Sequence, residues 1–422
     1  MDRTTGLFAN KWVQLGFLVL GGGTIYKLSS IKDVFYVPMQ QDWGLSNTEI
    51  GLGFTFYAIV QTLGYFYSMY LADRFSKKYL LPAGLLGVAA CGLYLATLPS
   101  FVGYVFAFAG LAFFGEVVYW PVLLKAVRLL GTKEEQGRLF GFLEAGRGVV
   151  DVIVAFGALG IFVLFGEGKA GMQAGIIYYT VITAFVGVIT YFLVGDEDHI
   201  KVTERDKSAN AKVFQGILYV IKDTNTWLAA FVIFFVYSSY TGLTYFIPFL
   251  KDIYGLPVAL VGAYGIINQY GLKMVGGPVG GFLADKVFHS PLRYLQIAFM
   301  VAFVSMLIFI QLPHQTMSVY LGMTATLGFG AIIFTQRAVF FAPMEEIGVP
   351  REYAGSSMAL GCLIGYMPSM FGYTLYGDML DTYLGISGYN KVFYIMSVFS
   401  LLGFCCATVL IRRMKRNVKS AV

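Results

Sequence analysis

Twelve runs of predominantly apolar residues follow one another along this chain, separated by little more than short polar connections. They cover 12–36, 48–72, 79–98, 101–127, 138–164, 173–195, 226–250, 257–284, 293–312, 317–343, 353–377 and 389–411. A helix rises 1.5 Å per residue, so about 20 such residues cross the hydrocarbon core of a bilayer. The pattern predicts an all-α polytopic membrane protein with twelve transmembrane helices and no extramembrane domain. Composition agrees: only 13% of the 422 residues are charged and mean hydropathy is +0.69, whereas a soluble chain carries about 25% charge. Disordered, coiled-coil and disulfide-scaffold chains are excluded, as is a nucleic-acid binder despite the net charge of +6. Lys11 followed by Trp12 to Leu20 imitates a secretory signal, but the apolar run continues past Tyr26 and further runs follow.

The longest interruption lies near the middle of the chain. It begins Gly195-Asp196-Glu197-Asp198-His199 and ends in a periodic stretch (Val213, Ile217, Val220, Ile221) suited to a short interfacial helix. The basic residues give the orientation. With both termini in the cytoplasm, 22 of the 30 lysines and arginines fall in cytoplasmic segments. Only Lys169, Lys251 and Lys391 fall outside, and Lys27, Lys32, Arg147, Lys273 and Arg337 sit within or at the ends of spans. The expected location is a bacterial inner membrane. Cys91, Cys362, Cys405 and Cys406 lie in apolar runs as small hydrophobes, and the three histidines are far apart, so neither a metal site nor a cofactor is expected.

Leu71-Ala72-Asp73-Arg74 recurs 212 positions later as Leu283-Ala284-Asp285-Lys286, after the second run of each half. Glu135-Gln136-Gly137 is echoed by Glu352-Tyr353-Ala354-Gly355 where runs five and eleven begin. Duplication of this kind marks a transporter built from two pseudo-symmetric six-helix halves. The boundaries are 1–195 for the first half, 196–225 for a cytoplasmic linker, 226–411 for the second half and 412–422 for a basic tail. On these motifs the chain resembles the major facilitator superfamily over essentially its whole length. That resemblance implies that Asp73, Arg74, Asp285 and Lys286 gate the conformational change. Met69 and Ser76 stand where the family's loop carries glycines, and the second copy keeps Gly281 but has His289-Ser290 in place of the basic pair.

Trp120-Pro121, Lys133 to Gly137, and the first run from Tyr26-Lys27 to Pro38 resemble the organophosphate–phosphate antiporter and anion–cation symporter branch. Gly262 to Tyr270 and Phe334-Thr335-Gln336-Arg337 are similar to the YihN-like enterobacterial transporters. Where the phosphate antiporters carry a second arginine in helix seven, this chain reads Tyr237-Ser238-Ser239-Tyr240.

Charges inside a bilayer are costly and mark pathways. Lys27 falls near the midplane as a point cation for a carboxylate, sulfonate or phosphate, or as the partner of a carboxylate such as Glu116. Glu116 sits mid-helix as a proton carrier or a fixed ion pair. Glu144, Arg147 and Asp151, spaced three and four apart, share one helix face. They form either a salt-bridge ladder or an anion site at Arg147 with a carboxylate taking up the proton. Asn268, Gln269, Tyr270 and Lys273 offer donors to hydroxyl and carboxylate groups, or Asn268 and Gln269 bind neighbouring helices. Arg337 contacts ligand, gates or snorkels, while Trp120 and Tyr240 are candidate cavity aromatics. The sequence therefore predicts a secondary transporter for a small polar organic anion such as a sugar acid. It works as a monomer in membrane lipid by alternating access, with Lys27, Trp120, Arg147, Tyr240, Asn268, Gln269, Lys273 and Arg337 on the substrate. Glu116, Glu144 and Asp151 serve proton symport. An exchanger of organic phosphates or sulfonates is the near alternative, and a membrane ligand sensor the alternative of another class. An enzyme, a nucleotide-driven pump and efflux of amphipathic cations rank below these.

Overall fold

A computed structural model describes residues 10–132, 135–193, 218–350 and 353–420. Every regular element among them is helical: α1 (Lys11–Thr24), α2 (Lys32–Gln41), α3 (Asn47–Arg74), α4 (Lys77–Ala96), α5 (Phe101–Ala112), α6 (Trp120–Leu129), α7 (Gln136–Leu164) and α8 (Lys169–Leu193) come first. Then follow α9 (Thr224–Gly242), α10 (Phe246–Tyr254), α11 (Val258–Ile266), α12 (Leu272–Phe282), α13 (Pro291–Ile310), α14 (Val319–Val339), α15 (Pro343–Glu346), α16 (Ala354–Gly365), α17 (Pro368–Thr382) and α18 (Ile386–Ser420). Nine helical stretches among the described residues are long and apolar enough to cross a membrane. The other three apolar runs are α3, whose 28 residues include polar ends, and runs one and eight, which are broken into pieces. Leu63, Tyr67, Phe106, Leu164 and Phe185 stay exposed, as helices that face lipid require.

Several of the runs are interrupted. In run one, regular helix stops at Thr24 and resumes at Lys32, with turns over 25–31. In run four, α5 and α6 are joined by a π-helical stretch, Phe113–Tyr119. In run eight, π-helical turns cover Ile267–Gly271 and Leu283–Val287. Such π turns insert an extra residue and recur at functional sites. Most of the interfacial helix expected in the linker lies outside the described residues. Residues 218–222 are helical, with Val220 buried and Leu218 and Ile221 exposed. Cys91, Cys362 and Cys406 are partly buried, and Cys405 is exposed.

Two compact units are formed, one by the described residues within 1–203 together with 257–271, the other by those within 204–256 and 272–422. The boundary differs from the one drawn on sequence, since 257–271 groups with the first unit. Gly262 allows this: a Cβ there would lie 2.9 Å from Leu159 and 3.0 Å from the Val34 carbonyl. In the first unit, Gly22 and Gly23 bring α1 onto α7 at the Arg147 and Val150 side chains. Near the start of the same helices Lys11 Nζ lies 2.5 Å from Glu135 Oε1 and holds that carboxyl below its usual range. In the second unit the core joins Ala229, Ile233 and Val236 of α9 to Leu295 and Phe299 of α13 and to Ala407 and Leu410 of α18.

Between α13 and α14, His314 is buried against Phe309 and Phe249, with Nδ1 2.9 Å from the Tyr254 hydroxyl. Burial pushes this imidazole below its ordinary value of 6.5. A histidine kept neutral by the fold takes up its proton more readily when unfolded, so its contribution is present at higher pH and is lost as pH falls below about 6.5. Thermal unfolding should show a melting temperature that falls between pH 7 and pH 5.5, with a shallower dependence in His314→Gln.

α12 and α14 meet at glycines. A Cβ on Gly280 would stand 2.3 Å from the Thr335 carbonyl oxygen, whereas Gly277 has nothing within 4 Å. Gly280→Val should lower unfolding stability by about 1–3 kcal/mol through overpacking. Gly277→Ala should leave it unchanged or raise it by up to about 1 kcal/mol. Equal effects of the two in thermal or denaturant unfolding would refute the close approach.

Candidate functional site

The break in run one delivers Lys27 to the interior of the first unit. Its ammonium lies 2.6 Å from Asp151 Oδ1 and 3.3 Å from the Asp151 carbonyl oxygen, and both side chains are buried. The Tyr270 ring covers it, 3.7 Å from Nζ to centroid. The Tyr270 hydroxyl donates to Asp33 Oδ2 at 3.1 Å, and Asp33 Oδ1 is 2.7 Å from Lys32 Nζ. Lys32, Asp33, Tyr270, Lys27 and Asp151 thus form one buried chain of alternating charge. Isolated ions in such a place would be prohibitive, and paired ones are tolerated when their remaining hydrogen-bonding capacity is met.

One turn before Asp151 on the same face of α7, Arg147 makes a separate set of contacts. Its Nε donates to the Gly22 carbonyl oxygen at 3.0 Å, an acceptor that the end of α1 leaves open. Nη1 lies 2.7 Å from Glu144 Oε1. The guanidinium stacks over Trp120 at 4.5 Å, with Tyr26 at 5.8 Å. The pair is asymmetric: the Arg147 side chain is 10% exposed and that of Glu144 55%.

Glu116 rides on the π stretch. Its carboxylate accepts from the Tyr57 hydroxyl at 3.1 Å and the Tyr65 hydroxyl at 3.4 Å. Lys27 therefore pairs with Asp151 and not with Glu116, and Glu144, Arg147 and Asp151 divide between two clusters instead of forming a single ladder. Tyr57 and Tyr65 belong to the site without having been singled out for it. Asn268 and Gln269 are buried on the π turn that carries Tyr270, and Gln269 Nε2 has no hydrogen-bond partner.

In the second unit Arg337 ends α14 against tyrosines. Its guanidinium is 3.9 Å from the Tyr240 ring centroid and 5.6 Å from that of Tyr237. Tyr237 packs edge-on to Tyr366 at 4.9 Å, and Tyr240 packs edge-on to Phe334 at 5.7 Å. Gln336, beside it, is wholly buried. Lys273 is exposed on α12, and Asp285 and Lys286 are exposed on the second π turn of run eight. Asp73 and Arg74 close α3, and their side chains lie outside the described residues. No cluster of metal-ligating side chains occurs among the described residues.

Among the described residues the chain is all-helical and buries Lys27, Lys32, Asp33, Arg147 and Asp151 within the first unit. The chain belongs to the Major Facilitator Superfamily, whose family model matches residues 19–373, and it is a membrane transporter, not an enzyme. It is 48% identical over 413 residues to the inner membrane protein YihN of Escherichia coli (strain K12), covering 98% of each chain. It is 26% identical to inner membrane protein YqcE of the same organism, covering 97% of each. Among solved structures it is similar in fold to a bacterial homolog of the human lysosomal transporter Spinster in an inward-facing, unoccupied conformation. That likeness has a TM-score of 0.79 at 15% identity and covers 98% of each chain.

If the Lys27–Asp151 pair is a coupled unit, removing one partner leaves a buried unpaired charge. Lys27→Met or Asp151→Leu alone should cost about 3–5 kcal/mol, and the double substitution markedly less than their sum. Additive losses in denaturant unfolding would show that the two charges do not depend on each other.

Proposed function

We propose that this protein is a secondary active transporter that moves a small polar organic anion, a sugar acid or related carboxylate, by alternating access with proton coupling. It sits in a bacterial inner membrane as a monomer with both termini cytoplasmic, an orientation that the distribution of lysine and arginine supports. The observation that carries the reading is the unequal exposure of Arg147 and Glu144. Arg147 is fixed by the Gly22 carbonyl and by the Trp120 face, while the carboxylate that completes it reaches solvent. An entering oxyanion can take the place of Glu144 on the guanidinium, which binds a carboxylate through two parallel N–H groups. Glu144, released from its cation, then accepts a proton, and anion and proton move together without net charge. Asp151 serves the same cycle by holding Lys27, and Glu116, held by tyrosine hydroxyls, is the further protonatable group.

Trp120, Tyr240, Asn268, Gln269, Lys273 and Arg337 complete the substrate contacts in this reading. Asp73, Arg74, Asp285 and Lys286 govern the change of access. Exchange of organic phosphates or sulfonates uses the same Arg147 without lasting protonation of Glu144.

Proteoliposomes loaded to give an inward proton gradient test the scheme with labelled glucuronate. Wild-type protein should accumulate it. Arg147→Lys should reduce uptake about 10- to 100-fold, the loss of one charged bidentate contact. Glu144→Gln should keep counterflow exchange while losing gradient-driven accumulation. Accumulation by Glu144→Gln at the wild-type level would sink the assignment of the proton to this carboxylate.

A further inference from the structure

Arg337 differs in kind from the paired cations of the first unit. Lys27, Lys32 and Arg147 each have a carboxylate within ion-pair distance, whereas among the described residues Arg337 has none. None of its five N–H donors finds an acceptor there either; its contacts are the faces of Tyr240 and Tyr237. Stacking on an aromatic face contributes on the order of 0.5–2 kcal/mol, which does not replace the hydration a guanidinium gives up within a membrane span. The next residue back repeats the pattern, since Gln336 is wholly buried and both atoms of its amide lack a hydrogen-bond partner. Two adjacent polar side chains with their capacity unmet point to a group that arrives from outside the chain.

We propose that Arg337, walled by Tyr237, Tyr240 and Tyr366, is the binding site for a singly charged oxyanion, a carboxylate or sulfonate, borne on a substrate with a flat or ring-shaped face. Tyr240 covers the face of the guanidinium, so the donors left open are those along its edge, in the plane where two oxygens of one group are accepted in parallel. One cation with no carboxylate beside it is neutralised by one negative charge. The second charge of a phosphate monoester would stand uncompensated among aromatic rings, where such charge is costly. Tyr366 is 36% exposed, and its ring offers a stacking surface beside the anion. Gln336 brings a donor and an acceptor within one residue of the guanidinium, the complement of a hydroxyl. This deepens the organic-anion reading and rests on it: it names the charge and shape of the substrate and gives the same oxyanion a second docking point, at Arg337, which it occupies at a different stage of transport from Arg147.

The test is thermal unfolding of the purified full chain with D-glucuronate, 2-hydroxyethanesulfonate, glucose 6-phosphate and glucose. Wild-type protein should be stabilised by glucuronate, by the sulfonate, or by both, which separates the two oxyanions. Glucose should give no shift, and glucose 6-phosphate should bind at least about tenfold more weakly. Arg337→Lys, which keeps the charge and loses the fork, should weaken the effective anion about tenfold or more. Equal affinity of Arg337→Lys and wild type, or tightest binding of glucose 6-phosphate, would overturn the proposal while leaving the organic-anion reading intact. No shift with any anion in the wild-type chain would remove both. A second readout needs no variant: glucuronate should protect Arg337 of the wild-type protein from phenylglyoxal, followed by mass spectrometry, and glucose should not. Equal modification with either compound counts against the site.

Discussion

Lys27 carries its ammonium into a space that admits almost no solvent, and Asp151, 2.6 Å away, makes that placement tolerable. Much of the first unit is arranged around this contact. Run one gives up regular helix over 25–31 where Lys27 lies, which an uninterrupted span would not require. α7 supplies Asp151, and the Asp151 carbonyl adds a second acceptor. Tyr270 lays its ring on the ammonium and its hydroxyl on Asp33, which holds 257–271 with the first unit rather than with its neighbours in sequence. A single ion pair therefore fixes one broken helix, one long helix and one short segment against each other.

The two units treat buried charge by different means. In the first, cation and carboxylate occur in matched pairs, and one pair, Arg147 and Glu144, has an exposed member. In the second, Arg337 is held by aromatic faces alone. A pathway that combined only matched pairs would be electrostatically indifferent to an anion, and one lined only by unmatched cations would hold it too tightly to release.

Much of this was legible in the sequence. The apolar runs and the repeat of Leu71-Ala72-Asp73-Arg74 at 283–286 name the architecture, because length and duplication are one-dimensional properties. The spacing of Glu144, Arg147 and Asp151 places them on one helix face, and Glu144–Arg147 is a local contact that spacing can anticipate. The partner of Lys27 is 124 residues away, and no periodicity reports a contact at that range. The π turns under Glu116 and Tyr270 are equally silent, since their residues read as ordinary helix formers. Tyr57 and Tyr65 are two of 29 tyrosines and become distinctive only when both point at one carboxylate.

The π turns also bear on how such a chain can diverge. A π turn holds one residue more than an α turn, so each is a place where the helix has absorbed an insertion without losing its continuity. Deleting one residue within Phe113–Tyr119 would return the stretch to α-helix and change which of its side chains face the interior, since the wide turn takes up its extra residue locally. Glu116 and Trp120 would then no longer face their present neighbours together. Single-residue length changes at this stretch and at Ile267–Gly271 therefore act as switches of the residues presented to the interior, leaving the membrane-facing sequence almost untouched.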